Sequence, residues 1–231
     1  QEIAQHIDAY KVVVIKSTVP VGTAELVQSI LGQEKREGED FDIVANPEFL
    51  MEGRGLQDFH FPDRIIIGTS SEKARGILYE LYEPVIQGVA SGSAQKSGDG
   101  SRSTPIPVIE TSVAAAQMIK YASNAFLATR VSFINEIAGI CERVNTNIQD
   151  VVRGMGFDSR IGHSYFQAGL GFGGPCLEKD LQALIHIAEG IGYEPQVLRS
   201  VLERNDRQLD VVLAKLKQSV ESLLYRKNIG I

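Results

Sequence analysis

Val12-Val13-Val14-Ile15, followed by Lys16-Ser17-Thr18-Val19-Pro20-Val21-Gly22, is the stretch on which the fold turns. Four β-branched residues in a row, with no polar alternation, read as a strand buried on both faces of a parallel sheet. A loop over 16–22 and a helix from about Thr23 to Leu31 follow. Asp42 to Ala45 reads as a second strand running into Asn46-Pro47-Glu48, and Ile65-Ile66-Ile67 as a third, ended by Gly68. Ser70 or Ser71 is placed to cap a helix reaching about Tyr82. Strands alternating with helices imply βαβ units and a parallel sheet. Such sheets bind ligands beyond the carboxyl ends of their strands, where Ser17-Thr18 and Asn46-Pro47-Glu48 fall.

Beyond this region the composition shifts. Residues 87–105 are rich in Gly, Ser, Gln and Lys, the pattern of a flexible insertion. Thr111 then stands as the cap of a helix running to about Val144, with apolar residues at Met118, Ile119, Ala122, Phe126, Phe133, Ile134, Ile137 and Cys141. At 1.5 Å per residue that helix is about 50 Å long, so it either joins two domains or forms a dimer interface. Shorter helices are expected over about 148–153, stopped by Gly154 and Gly156, and about 177–189, stopped by Gly190. A long one follows Pro195. The expected organisation is an α/β domain over 1–86, the insertion over 87–105, an all-α domain over 106–226, and the first residues of a further strand over 227–231. The absence of an initiator Met and the abrupt Lys227-Asn228-Ile229-Gly230-Ile231 read as a piece of a longer protein.

Composition excludes several classes. The 231 residues are 43% hydrophobic and 23% charged, as in an ordinary globular protein. A net charge of −6 offers no basic footprint for nucleic acid or an anionic membrane. No apolar run approaches the roughly 20 residues of a membrane span, and no signal peptide is visible. Two cysteines without a CxxC partner suggest a reducing, cytoplasmic setting.

The densest chemical signal is Gly169-Leu170-Gly171-Phe172-Gly173-Gly174-Pro175-Cys176. Its glycines match GxGxxG, with Glu194 downstream, but a dinucleotide fingerprint needs a strand immediately before it. Gly162-His163-Ser164-Tyr165-Phe166-Gln167 is not such a strand. The alternative is that the glycines admit a ligand close to the backbone and set Cys176 at a helix N-terminus. There the dipole and a cation such as Lys179 favour thiolate over thiol; an inert buried cysteine is the competing reading. Lys120 and Asn124 share a helix face and could bind an oxyanion together, or Lys120 could be a solvated surface residue. Glu48 and Glu52 are four apart and fit acid–base work, or exposed loop positions. The four histidines, His6, His60, His163 and His186, show no metal-ligand spacing.

Together these motifs resemble the nucleotide-sugar dehydrogenases of the UDP-glucose/GDP-mannose dehydrogenase family. The matching stretches are residues 16–23, Asn46-Pro47-Glu48-Phe49-Leu50 with Glu52-Gly53, Pro62-Asp63-Arg64 through Gly68, Lys120 through Ala128, residues 158–162, and Gly171 through Asp180. The resemblance implies a partial Rossmann-like sheet followed by a helical central domain, NAD as cofactor, and UDP-glucose or a related nucleotide sugar as substrate. It also implies a homodimer or larger homo-oligomer through the long helix. In that reading Cys176 captures the C6 aldehyde and carries a thiohemiacetal and then a thioester. Lys120 stabilises the oxyanion, and Asp180 orients water with help from Thr18 and Asn124. Glu48 is the base for thioester hydrolysis. Ser17, Thr18, Glu52 and Lys179 face the cofactor. Glu48, Phe49, Leu50, Lys120, Asn124, Phe172 and Gly173 face the sugar nucleotide, with Arg160 offered to a neighbouring subunit. The family's N-terminal glycine-rich motif and C-terminal nucleotide-sugar domain have no counterpart in this sequence. Lacking that phosphate-binding turn, this stretch alone is expected to bind NAD weakly and to be inactive. Pro175, Leu177 and Glu178 depart from the residues usual around the nucleophile, and Leu177 offers no aromatic contact to the nucleotide base.

Overall fold

The computed structural model describes residues 2–87 and 105–219. Nearly all of the expected insertion and the strand expected over 227–231 lie outside the described residues. The chain forms two compact units, Gln1–Tyr121 and Ala122–Ile231.

The first unit runs α1 (Glu2–Gln5), β1 (Lys11–Ile15), α2 (Thr23–Leu31), β2 (Phe41–Ala45), α3 (Gly55–His60), β3 (Ile65–Gly68), α4 (Glu72–Ile86), β4 (Val108–Thr111) and the start of α5 (Val113–Arg143). Sheet order is β1-β2-β3-β4. Because strand side chains alternate between faces, Val12 and Val44 join Ile65, Ile67 and the α4 residues Ala74, Leu78 and Val85. Val13, Ile15, Phe41 and Ile43 pack on α1 and α2 through Ala4, Ala24 and Leu31. The sheet is therefore covered on both faces, as the apolar strands require.

Three expectations need correcting here. The sheet is mixed: β1–β2 and β3–β4 are parallel, but β2 and β3 meet antiparallel at Ala45 and Gly68. The connection between them, residues 46–64, holds one six-residue helix, α3, and otherwise loop. Secondly, β4 extends the first sheet, so the helical domain does not start at 106 and the first unit runs on to Tyr121. Thirdly, Ser112 rather than Thr111 caps α5, its hydroxyl accepting from Ala115 N at 3.2 Å. Of the two serines offered for α4, Ser71 is the cap, accepting from Ala74 N.

The second unit holds the rest of α5, then α6 (Ile148–Gly156), α7 (Pro175–Gly190) and α8 (Gln196–Ser219). Its core joins Ala125 and Ala128 of α5, Phe172 of the loop before α7, Leu181 and Ile185 of α7, and Val201 of α8. Ser132 of α5 donates to Val201 O at 2.9 Å. The long helix has the expected length, but its faces differ from the expected stripe. Ile134 and Cys141 are buried, whereas Met118, Phe126 and Phe133 are exposed. The buried side instead carries Gln117, Lys120, Asn124, Ser132 and Asn135, between small or apolar neighbours.

Candidate active site

In the first unit, Ser17 and Thr18 follow β1 and Pro47 and Glu48 follow β2, because both strands end at the same edge of a parallel pair. Ser17, Thr18 and Pro47, with Ile15, Val19, Ala45, Gln117 and Lys120, line a cavity of about 10 Å³, the volume of a single water. Lys120 is only 6% exposed. Its ammonium lies 3.4 Å from Glu48 Oε1 and 5.1 Å from the centre of the Phe49 ring. The Arg64 guanidinium stacks 3.8 Å from the centre of the same ring. Glu48 Oε2 accepts from Leu50 N at 2.6 Å, which folds the 46–50 loop back on itself. Lys120 is thus no solvated surface lysine. Glu48 and Glu52 do not share a helical face, since neither stands in a helix and Glu52 is exposed in a turn.

Three neighbours went unassigned in the sequence. Asn46, buried, donates to Ile66 O at 2.7 Å and accepts from Tyr82 Oη at 2.5 Å. Lys16 donates to that hydroxyl at 3.3 Å. Burial pushes the Tyr82 phenol up. Burial also pushes the Lys16 ammonium below its usual value, with the negative charge of Glu48 opposing. Lys16 is exposed as a residue, so the shift describes the drawn-in end of its side chain. The lysine just before Ser17-Thr18 was the only available signal.

In the second unit, Gly174 is the N-cap of α7, Pro175 its first residue and Cys176 its second. No strand precedes Gly169, so the dinucleotide-fingerprint reading fails as expected. Cys176 is exposed, and Cys141 is buried. Asp180 lies four residues on, on the same face of α7, and is 1% exposed. Its Oδ2 accepts from Asn124 Nδ2 at 2.6 Å and its Oδ1 from Lys179 Nζ at 2.7 Å. A carboxylate so buried must be hydrogen-bonded, and the amide on α5 and the adjacent lysine satisfy that demand. Phe172 packs in the core, which leaves exposed Gly173 and Gly174 to meet any ligand at this loop. Arg160 is exposed and held in a fork by Asp158, Nε to Oδ1 at 3.0 Å and Nη2 to Oδ2 at 2.6 Å. That fork holds the Asp158 carboxyl below its usual range.

Gly171 corrects one expectation. Its φ is +98°, and a Cβ there would lie 2.5 Å from Asn205 Oδ1. The glycine makes room for a side chain of this chain rather than for a ligand.

Among the described residues no cluster of metal-ligating side chains occurs, and no helix is long and apolar enough to cross a membrane. Residues 1–86 match the NAD binding domain of the UDP-glucose/GDP-mannose dehydrogenase family, and residues 114–207 match its central domain. The chain is 45% identical over 214 residues to the UDP-glucose 6-dehydrogenase TuaD of Bacillus subtilis, covering 93% of this chain and 42% of that protein. Among solved structures, a UDP-glucose dehydrogenase from the archaeon Pyrobaculum islandicum superposes with a TM-score of 0.78 at 36% identity, over 92% of this chain and 45% of that one. A GDP-mannose dehydrogenase from Pseudomonas aeruginosa gives 0.54 at 29%, over 97% and 47%. The chain belongs to the UDP-glucose/GDP-mannose dehydrogenase family. It spans about half the length of the curated relatives it matches.

Proposed function

We propose that the intact protein is an NAD-dependent nucleotide-sugar dehydrogenase that oxidises the C6 alcohol of UDP-glucose to a carboxylate, with Cys176 as nucleophile. The observation that carries this is the exposed thiol at the second residue of α7, one turn before a buried Asp180 held by Asn124. An exposed thiol at a helix start suits nucleophilic catalysis, and a carboxylate one turn on suits the handling of a water molecule.

NAD fits the residues at the carboxyl ends of β1 and β2. Ser17 and Thr18 offer hydroxyls there, and the buried Gln117 amide has no partner for either polar atom among the described residues. A cavity of about 10 Å³ is far too small for the cofactor, so it would lie over this edge, with Glu52 and Lys179 as further contacts. Bound NAD supplies the hydride acceptor for each of the two oxidations.

The alcohol loses a hydride and a proton to become the aldehyde. Cys176 sulfur then adds to the aldehyde carbon, and Lys120 and Asn124 hold the oxygen that gains charge. Loss of a second hydride from that carbon, with the hydroxyl proton, leaves a thioester. Water, oriented by Asp180 with Thr18 and drawn on by Glu48 as base, cleaves the C–S bond to release the carboxylate and the thiol. Phe49 and Leu50 present the 46–50 loop to the sugar nucleotide, and Gly173 gives it backbone access. Arg160 serves a neighbouring copy. UDP-glucose is preferred over GDP-mannose because both the sequence identity and the structural match are higher for the UDP-glucose relatives.

The exposed Met118, Phe126, Phe133 and Ile140 on α5 support a homo-oligomer formed through that helix, a role compatible with catalysis. The free thiols accord with a cytoplasmic setting. In the intact enzyme, Cys176→Ser is expected to stop carboxylate formation while the first oxidation persists; unchanged glucuronate production overturns the reading. NADH formation with UDP-glucose against GDP-mannose decides the substrate.

A further inference from the structure

A loop with glycine at 169, 171, 173 and 174 has little side-chain mass with which to fix itself, and glycine loses more freedom on ordering than any other residue. Yet this loop delivers Cys176. Its backbone is held instead by three amide side chains within the second unit. Gly169 N donates to Asn135 Oδ1 at 2.8 Å, and Gly169 O accepts from Gln208 Nε2 at 2.6 Å. Gln208 Nε2 also reaches Asn135 Oδ1 at 3.3 Å. Phe172 N donates to Asn205 Oδ1 at 2.8 Å, and Phe172 O accepts from Asn205 Nδ2 at 3.1 Å.

Both backbone polar groups of Gly169 and of Phe172 are therefore satisfied by side chains. A side-chain amide carries a donor and an acceptor on separate atoms, and Asn205 uses both on Phe172. Asn205 and Gln208 stand three apart on α8 and so share a face. Gly171 lies between the two gripped residues, and its missing Cβ is what lets Asn205 close on the loop. From the second grip at Phe172, only Gly173, Gly174 and Pro175 intervene before Cys176.

We propose that Asn205, with Gln208 and Asn135, is a positioning residue for Cys176: the amides fix the glycine-rich loop so that the thiol meets the aldehyde before the aldehyde escapes. The inference rests on the reading of Cys176 as the nucleophile. It separates the two oxidations. Hydride loss from the alcohol needs no thiol, whereas capture of the aldehyde does, and a displacement of about 1 Å can cost roughly a hundredfold in such a step.

The test uses the intact enzyme with UDP-glucose, NAD and an added carbonyl trap such as semicarbazide, and measures NADH, carboxylate and trapped aldehyde. Wild type is expected to yield two NADH per carboxylate and no trapped aldehyde. Asn205→Ala is expected to lower kcat by roughly tenfold to a hundredfold and to raise NADH above two per carboxylate, the excess matching trapped aldehyde. Asn205→Asp keeps the acceptor for Phe172 N and loses the donor to Phe172 O. It is nearly isosteric, and is expected to leak less. Ser132→Ala removes a buried hydrogen bond in the same unit without touching the loop, and is expected to lower Tm while keeping the two-to-one yield. The proposal is overturned if both Asn205 variants hold that yield, whatever their kcat, or if Ser132→Ala leaks as they do. Should Asn205→Ala fail to fold, Asn205→Asp and Gln208→Glu give the same readout. Full carboxylate production by Cys176→Ser would instead sink the underlying reading of function, a separate result.

Discussion

The two clusters of candidate residues, one in each unit, are built by opposite means. In the first unit, regular strands end at a common edge, and the side chains after them reach one another: Lys120 to Glu48, Tyr82 to Asn46, Arg64 over Phe49. In the second unit an irregular loop is gripped by side chains from distant helices, and the exposed thiol of Cys176 then stands at a helix start. Backbone regularity positions the first set, and side-chain amides position the second. Damage should therefore spread differently: a single change at the sheet edge removes a function, whereas a single change at the amide grip moves one.

The largest effect is expected where function is removed. Lys120→Ala in the intact enzyme should lower kcat by roughly a hundredfold to a thousandfold, the usual loss for one oxyanion donor. Stability should change little, because Glu48 is half-buried and can regain water. Steady-state kinetics and thermal unfolding on the same variant check both halves; near-normal kcat would demote Lys120 to a scaffold.

A pair of glycines sharpens the contrast. Gly22 and Gly171 share a φ of +98°, but nothing lies within 4 Å of a Cβ at Gly22. Gly22→Ala should therefore cost only the left-handed backbone strain, about 1–2 kcal/mol. Gly171→Ala should cost more, by the collision with Asn205. Combining it with Asn205→Ala should return the collision part but not the strain, read as a coupling energy in urea unfolding. Equal costs for the two single variants would break the comparison.

The smallest effect lies at the far end of the sheet. Tyr10 donates to Asp42 Oδ2 at 2.6 Å. Burial, and then the bond to Asp42 and its charge, push the phenol up to about 12 from 10.0. The folded state thus keeps this proton at a pH where the unfolded chain has lost it. The contribution is fully present below about pH 10 and fades as pH rises toward 12. Tyr10→Phe should flatten that alkaline fall in stability, as followed by urea midpoints between pH 9 and 12 (roughly the window set by the two values); an unchanged slope would count against it.

Much of the first unit was legible because its signals are local. Val12 to Ile15 and Ile65 to Ile67 announce strands by themselves, and the loops after β1 and β2 inherit their position from the strand ends. β4 escaped because Val108–Thr111 is a short, half-exposed strand without clear alternation. Helix α3 is six residues long and starts on a glycine, which gives periodicity nothing to work on. The antiparallel step at β3 leaves no mark in the strand's own residues, which are as apolar as those of a parallel strand. Along α5 the period gave the helix but not its buried side, because Lys120, Asn124 and Asn135 are buried beside polar partners while Phe126 and Phe133 are exposed. In the second unit Cys176 and Asp180 were readable from one short motif. The grip on the loop was not, since its residues lie 33 to 39 positions away in sequence.

The contrast between the two cysteines has a practical consequence. Cys141 is packed inside and Cys176 is exposed, and the sequence contains no third. On these 231 residues a maleimide dye or a spin label would therefore attach at a single place without any engineering. This stretch carries a built-in reporter at the spot where the chemistry is proposed to happen, so binding of a sugar nucleotide could be followed by the quenching or protection of that label.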